Sequence, residues 1–292
     1  MPCPECFRGF VHTYAEPTGK METIHGIRTY VAGGSDPSRS KSAIIYLTDA
    51  FALRLVNNKL LADKYASSTG CRVLIPEVVY NGGLDPSLMP QMEVAMGSLE
   101  RWSVDSVLHK AYATICLLPK VLSFLLLGHP AKAYPKILQY ARAVRRDLPA
   151  GGKLGVAGFC WGGWGSTKLC TEANIEGGTE RLIDAQFNGH PSYMLPTPNM
   201  FIEAIQKFNV PYSSAIADVD FEFNGAVAAK TEAMLRNKLG ERYRYEFRVY
   251  EGCNHGFCIR AKEDAANKEG YEAAAKQATT WFSQHLNSEL RT

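Results

Sequence analysis

The sequence predicts an α/β fold in which a mostly parallel sheet is covered by helices on both faces. Short runs of β-branched and other apolar residues recur along the chain, and each is followed by a helical pattern. The chain has 292 residues, of which 46% are hydrophobic and 21% charged, and no internal repeat or low-complexity segment interrupts it. We therefore expect one large domain over residues 1–292.

The strands and helices of this domain can be read in order. The last helical pattern carries apolar residues at i, i+3 and i+4 spacing between Tyr271 and Leu286, a stripe suited to packing on the sheet. The predicted strands cover residues 42–48, 71–77, 152–159, 182–189, 212–217 and 243–251. The predicted helices cover residues 57–69, 161–173, 199–207, 224–239 and 263–286.

Residues 84–150 form a long insertion between two core strands. Its position, on the side where strands end and helices begin, predicts a helical lid over the active edge of the sheet. The apolar passage 113–127 within it has 15 residues and includes Pro119 and Lys120, and about 20 residues are needed to span a bilayer. We expect a buried or lid helix and no membrane span, while a role at a membrane surface is the less favoured alternative.

Charge and cysteine content narrow the class of protein. The net charge of +3, with no run of like charges, favours neither nucleic acid nor an anionic membrane as a partner. The first residues lack the layout of a signal peptide, which predicts a cytoplasmic protein with reduced thiols. Cys3 and Cys6 form a C-x-x-C pair without a second pair at metal spacing, so no metal site is expected.

The stretch VAGFCWGGWG, residues 156–165, resembles the strand-turn-helix motif that presents a nucleophile in α/β-hydrolases, with Cys160 in the place of the serine. Gly158 and Gly162 allow the sharp turn, and the start of the following helix would stabilise a thiolate. A redox cysteine and a buried structural cysteine remain alternatives. The glycines match neither the P-loop nor the G-x-G-x-x-G pattern, so no nucleotide cofactor is expected.

A thiolate nucleophile needs a base and an orienting carboxylate, and both follow later strands of the sequence. Asp218 and Asp220 lie at the end of the strand 212–217, and Asp220 is preferred because Asp218 could cap the turn directly after the strand. His255 follows the last strand and is the expected base. His190 also follows a strand, but it precedes the acid and suits the substrate pocket or a turn better.

With these residues assigned, the sequence resembles the dienelactone hydrolase family, in particular its fungal-type branch. The resemblance rests on GFCWGG (158–163), NHGF (254–257), YLTDAFAL (46–53), the loop of Asp220, and the N-terminal GKMETIHGIRTYVA. It covers most of the chain apart from the lid. It implies the α/β-hydrolase fold and a cofactor-free cysteine hydrolase of small lactones or esters.

The resemblance also assigns roles to residues. It implies that Cys160 attacks the carbonyl, His255 transfers the proton and Asp220 orients His255. The backbone amides of Ala50 and Trp161 would bind the oxyanion. The implied substrate-binding candidates are Asp49, which replaces a glutamate of the family, together with Phe51, His190 and Arg260. Relatives that act on carboxylated lactones use two arginines, and only Arg260 has a counterpart here.

Three functions remain open on the sequence alone. The leading one is opening of a small lactone, or cleavage of an activated ester, through a Cys160 thioester. Because a thiolate is itself a good leaving group, its attack is productive mainly on substrates whose own leaving group is stabilised, as in enol lactones and enol esters. The second is a redox-responsive or binding protein on the same fold, and the third a related hydrolase of larger secondary-metabolite substrates. The expected partner is a small molecule, and the chain is expected to be a monomer or a homodimer.

Overall fold

The computed structural model describes residues 15–34, 41–96, 103–195 and 198–287, and Cys3 and Cys6 lie outside these ranges. Within them the chain forms one eight-stranded sheet. Its strands are β1 (Lys20–Ile24), β2 (Ile27–Ala32), β3 (Ala43–Leu47), β4 (Arg72–Pro76), β5 (Leu154–Phe159), β6 (Ala185–Gly189), β7 (Tyr212–Val219) and β8 (Tyr245–Asn254).

The strand order is β1-β2-β4-β3-β5-β6-β7-β8, which is the arrangement of an α/β-hydrolase fold. The pairs β1–β2 and β2–β4 are antiparallel, and the other neighbours are parallel, so strands β3 to β8 all end at the same edge. The six core strands predicted from the sequence are all present. The β1–β2 hairpin was not predicted, because β1 is mostly exposed and lacks an apolar run.

Helices cover both faces of this sheet. On one face α1 and α8 contact each other, and on the other α5 lies between α4 and α6. Both faces of the central strands are therefore shielded, which explains why β3 and β5 are buried at every residue. The helices are α1 (Val56–Thr69), α2 (Met89–Met96), α3 (Val104–Leu127), α4 (Pro130–Asp147), α5 (Trp161–Leu169), α6 (Asn199–Gln206), α7 (Gly225–Lys238) and α8 (Ala265–Leu286).

The insertion 84–150, predicted as a lid, contains α2, α3 and α4 in its described part. The helix α4 buries Ile137, Tyr140 and Val144 in the main core and contacts α5. It is thus part of the layer that covers the sheet. The helix α2 contacts α3, and these two helices are the part of the insertion that lies outside that layer.

The helix α3 is the main departure from the expected burial. It buries Ala113, Leu117 and Phe124, but most of its other apolar side chains are exposed. Of the two alternatives expected for the apolar passage 113–127, a buried helix does not fit this exposure, and a lid helix stays a prediction. By length and composition alone α3 is long and apolar enough to cross a membrane. It is one such helix among the described residues, and a single helix of this kind is weak evidence for a membrane span.

Candidate active site

Cys160 occupies the sharp turn between β5 and α5. Its φ of +47° lies in the left-handed region, which residues other than glycine rarely adopt. The turn is possible because its neighbours are glycines: a Cβ on Gly162 would lie 2.2 Å from the carbonyl oxygen of Leu47, and a Cβ on Gly158 would overlap Ser166. The strained turn lifts the thiol above the edge of the sheet, the geometry of a nucleophile in this fold.

The turn is held by backbone hydrogen bonds from both neighbouring strands. The amide of Cys160 donates to the carbonyl of Gly189 at the end of β6, and the amide of Gly162 donates to Thr48 after β3. The hydroxyl oxygen of Ser192 lies 3.6 Å from the Cys160 sulfur, and the amide of Ser192 donates to the carbonyl of Cys160. The sulfur is therefore fixed in place while the Cys160 side chain remains half-buried.

The loops after β7 and β8 bring Asp220 and His255 together. The Nδ1 atom of His255 lies 2.7 Å from Oδ2 of Asp220, and both side chains are completely buried. The other carboxylate oxygen of Asp220 accepts hydrogen bonds from the amides of Glu222 and Phe223. Asp218 instead lies inside β7, which extends beyond its predicted end, and its carboxylate lies 3.4 Å from the amide of Gly252.

The charges around His255 favour its protonated form. Burial lowers the pKa of the imidazole, but the carboxylate of Asp220 and then the thiolate of Cys160 outweigh it, and the pKa lies well above its usual value. The pKa of Asp220 is lowered overall, because the charge and hydrogen bond of His255 outweigh its own burial. Nε2 of His255 forms no hydrogen bond of normal geometry among the described residues, although Cys160 lies close enough to contribute to the raised pKa.

His190 lies directly beside this pair. Its ring centre is 4.9 Å from that of His255, and the two rings meet edge to face. The side chain is fully buried, and neither ring nitrogen has a hydrogen-bond partner in the described part of the chain. Burial, followed by the positive charges of His255 and Arg260, holds the pKa of His190 well below its usual value, so this imidazole is neutral.

Asp49 and Arg260 form a buried ion pair at the same edge of the sheet. Nε of Arg260 donates to Oδ2 of Asp49 at 3.1 Å, and the guanidinium lies over the ring of Phe51. The other carboxylate oxygen of Asp49 accepts from Asn58 and from the amide of Phe51. Asp49 is thus bonded to Arg260 rather than to the thiol, and the Nε of Arg260 is committed to Asp49.

The two amides expected to bind an oxyanion belong to the first residue of α5 and to the loop after β3. Trp161 is the first residue of α5, where a backbone N–H has no partner within the helix. Ala50 follows β3 in the loop of Asp49. The Trp161 indole is buried, and its Nε1 donates to the carbonyl of Gly128, the residue directly after α3. The insertion is therefore connected to the turn that carries Cys160.

Sequence reasoning did not select Ser192 or Glu222. Ser192 is the nearest hydroxyl to the sulfur, and its position two residues after His190 in GHPS was the available signal. The carboxylate of Glu222 accepts from the amide of Met194, which ties the loop after β6 to the loop of Asp220. No spacing in the sequence indicates that contact, because it joins two loops that meet only in the folded sheet.

Comparison with known proteins agrees with this architecture. The model of the dienelactone hydrolase family matches residues 27–286. Hydrolase pyvD of Aspergillus violaceofuscus is 24% identical, with 98% of this chain and 97% of the relative covered. The human carboxymethylenebutenolidase homolog is 23% identical, with 98% of each chain covered. A Klebsiella pneumoniae structure described as a dienelactone hydrolase has a TM-score of 0.59 and 17% identity, and covers 91% of this chain and 97% of its own.

The fold and the family match define the protein as an α/β-hydrolase that acts on carboxylic esters. The chain belongs to the dienelactone hydrolase family, because the family model covers nearly its whole length. The resemblance stated from the sequence is confirmed.

Proposed function

We propose that the protein hydrolyses small lactones or activated esters through a thioester on Cys160. The observation that carries the proposal is the buried hydrogen bond between His255 and Asp220 in the same site as a cysteine on a strained turn. A structural or redox cysteine needs neither that pair nor the strained turn. The arrangement is the one that general-base activation of a nucleophile requires.

In the first half of the reaction, the thiolate of Cys160 attacks the carbonyl carbon and the oxygen becomes an oxyanion. The amides of Ala50 and Trp161 are proposed to stabilise this charge, each by about 3 kcal/mol. The bond to the leaving oxygen then breaks, and protonated His255 supplies the proton to that oxygen. For a lactone the leaving oxygen remains attached to the acyl chain, which stays on the enzyme as a thioester.

In the second half, His255 takes a proton from water and the resulting hydroxide attacks the thioester. The carboxylic acid leaves, and the thiolate of Cys160 and the protonated His255 are restored, so no oxidant or cofactor is consumed. Asp220 keeps Nδ1 of His255 occupied, which directs Nε2 towards the substrate. The raised pKa of His255 favours its imidazolium form, which is the proton donor of the first half.

The remaining candidates are proposed to shape the site. The ion pair of Asp49 and Arg260 holds the loop that carries Ala50, because Asp49 also binds the amide of Phe51. Phe51 and His190 line the buried side of the site, and α2 and α3 are proposed as its lid. Since the buried carboxylate of Asp49 neutralises the charge of Arg260, an uncharged ester or lactone fits the site better than a carboxylated one.

We also propose that the enzyme works in a reducing compartment such as the cytoplasm. The described cysteines are free thiols, and a nucleophilic thiolate is lost on oxidation. An experiment with oxidised and reduced protein can test this directly. Activity that disappears with peroxide and returns with a thiol reductant supports it, and activity indifferent to peroxide contradicts it.

The central test replaces the nucleophile. Cys160→Ala is expected to lower kcat/KM for nitrophenyl acetate and for small lactones by about a thousandfold or more. Cys116→Ala is the matched control, because Cys116 is an exposed cysteine on α3 and should leave the rate unchanged. Unchanged turnover in Cys160→Ala with an unaltered melting temperature would overturn the proposal.

The redox alternative is separated by alkylation. If His255 activates the thiol, His255→Ala slows the reaction of Cys160 with iodoacetamide. A sensor thiol that is independent of the pair would react at the same rate in both proteins.

A further inference from the structure

We propose that the outer face of α3 docks on an anionic lipid surface. The outer face is defined by apolar residues that follow one another at intervals of three or four and therefore lie on one side of the helix. Its members are Val104, Leu108, Ala111, Ile115, Leu118, Leu122, Leu125 and Leu126, and all of them are exposed. The opposite side of α3 packs on the protein through Leu117 and Phe124.

The size of this face requires a partner. Ile115 is 70% exposed, Leu118 57% and Leu126 61%, in a helix of 24 residues. The seven large apolar side chains of the outer face are each at least 39% exposed. A contiguous exposed apolar patch of this kind marks an interaction site. A lid that only covered the site would bury these side chains, and α3 presents them to the outside.

Charge distinguishes a lipid surface from a second copy of the chain. Residues 104–136 contain four lysines and one aspartate, with no arginine or glutamate, which gives this segment a net charge of +3. Lys132 and Lys136 are exposed, and the ammonium of Lys132 donates to the carbonyl of Leu126 at the end of the outer face. Lys120 is exposed on the other side of α3, where its charge acts on Asp85. Basic residues beside an apolar helix face attract anionic lipids, whereas two copies would bring like charges together.

The geometry fits a helix that lies on the surface. Because one side of α3 packs on the protein and the other is apolar along its length, the helix can enter the headgroup region without crossing the bilayer. Its end is joined to the site, since Gly128 accepts the hydrogen bond of the Trp161 indole beside Cys160. Docking would therefore place the site close to lipid. The inference goes beyond the proposed function and does not depend on the identity of the nucleophile.

The experiment measures binding of the full chain to vesicles by flotation. Vesicles of phosphatidylcholine with about one third phosphatidylserine are expected to bind the protein about tenfold more strongly than phosphatidylcholine alone, and added salt should reduce the difference. The double variant Leu118→Gln/Leu122→Gln is expected to lose about tenfold in binding. Lys132→Gln/Lys136→Gln should lower binding to the level of neutral vesicles.

Controls keep the result interpretable. Ile175→Gln changes an equally exposed apolar residue outside α3 and should bind like the wild type. All variants should keep the wild-type rate on a soluble ester, because the changed side chains are exposed to solvent and the lid role proposed for α3 belongs to its packed side. The inference is overturned if the wild type does not bind phosphatidylserine vesicles, or if the double variant binds as well as the wild type. A wild-type dimer in sedimentation that the double variant converts to a monomer would also overturn it, by assigning the face to a second copy.

Discussion

Helices α5 and α3 have similarly apolar sequences but differ in how much of each helix is buried. Most residues of α5 are buried, and backbone hydrogen bonds to the ends of β3 and β6 fix its first turn. In α3, which is more than twice as long, three residues are buried. The difference teaches that apolar character alone does not predict burial. Close backbone contacts hold α5 in place, whereas α3 is free to meet another surface.

The largest expected effect concerns the candidate active site, which lies at the fixed first turn of α5. Asp220→Asn should lower kcat/KM by roughly 10³ to 10⁴-fold, because an amide cannot hold His255 in the tautomer that accepts a proton. Asp218→Asn is the matched control. It changes a partly exposed carboxylate two residues away that faces the amide of Gly252, and it should retain the wild-type rate. Equal losses in the two variants would show that the acid has been assigned wrongly.

The next effect tests whether backbone crowding fixes α5. Gly162→Ala places a Cβ 2.2 Å from the Leu47 carbonyl oxygen and should lower the free energy of unfolding by about 3 kcal/mol. Gly165→Ala, in the same helix, meets only side-chain carbons at 3.3 Å or more and should change it by less than about 1 kcal/mol. Urea unfolding measures both. If Gly162→Ala were tolerated as well as Gly165→Ala, the turn would not be set by crowding.

A smaller effect is expected from pH. The pKa of His190 is lowered in the folded state. Below about pH 6.5 this histidine is therefore protonated in the unfolded chain but stays neutral in the native protein. Because the unfolded state binds more protons, the free energy of unfolding falls as the pH falls. The slope from this group is about 1.4 kcal/mol per pH unit. The raised pKa of His255 acts in the opposite direction, since its contribution is present at low pH and is lost as pH rises.

The variant His190→Asn separates the two histidines, because asparagine does not titrate and tolerates a positive φ. Relative to the wild type, the variant should gain stability as the pH is lowered from 7 to 5.5 in urea unfolding experiments. Parallel pH dependence in the two proteins would mean that His190 is not held neutral.

The smallest effect belongs to α3. Leu122→Ala should change the free energy of unfolding by less than about 0.5 kcal/mol, because the side chain already faces solvent. Phe124→Ala, two residues away and buried, should cost about 3 kcal/mol. A large loss in Leu122→Ala, measured by the same unfolding experiment, would mean that the outer face is covered in the free protein.

The same contrast explains what could be predicted from the sequence. The core strands carry apolar runs long enough to be recognised, and the glycines around Cys160 identify the turn because only small residues fit there. The β1–β2 hairpin escaped prediction because β1 is polar and exposed. The sequence could not choose between a buried and a lid helix for α3, because an apolar helix has the same sequence pattern whether its partner is the core or another surface.

Contacts between residues that are distant in the sequence set a second limit on what the sequence can predict. Asp220 and His255 were paired through the order of catalytic residues in the fold, which places each at the end of a known strand. The ion pair of Asp49 and Arg260 joins residues 211 positions apart and follows no motif spacing, so each was assigned a role without the other. The neutral state of His190 likewise depends on its burial beside His255, which the sequence does not report.

The most direct test of the account is to look for the acyl-enzyme. Rapid acid quenching during turnover of nitrophenyl acetate, followed by peptide mass spectrometry, should find one acetyl group on Cys160. Acetyl groups on Ser192, or turnover without any acylated cysteine, would contradict a thioester mechanism.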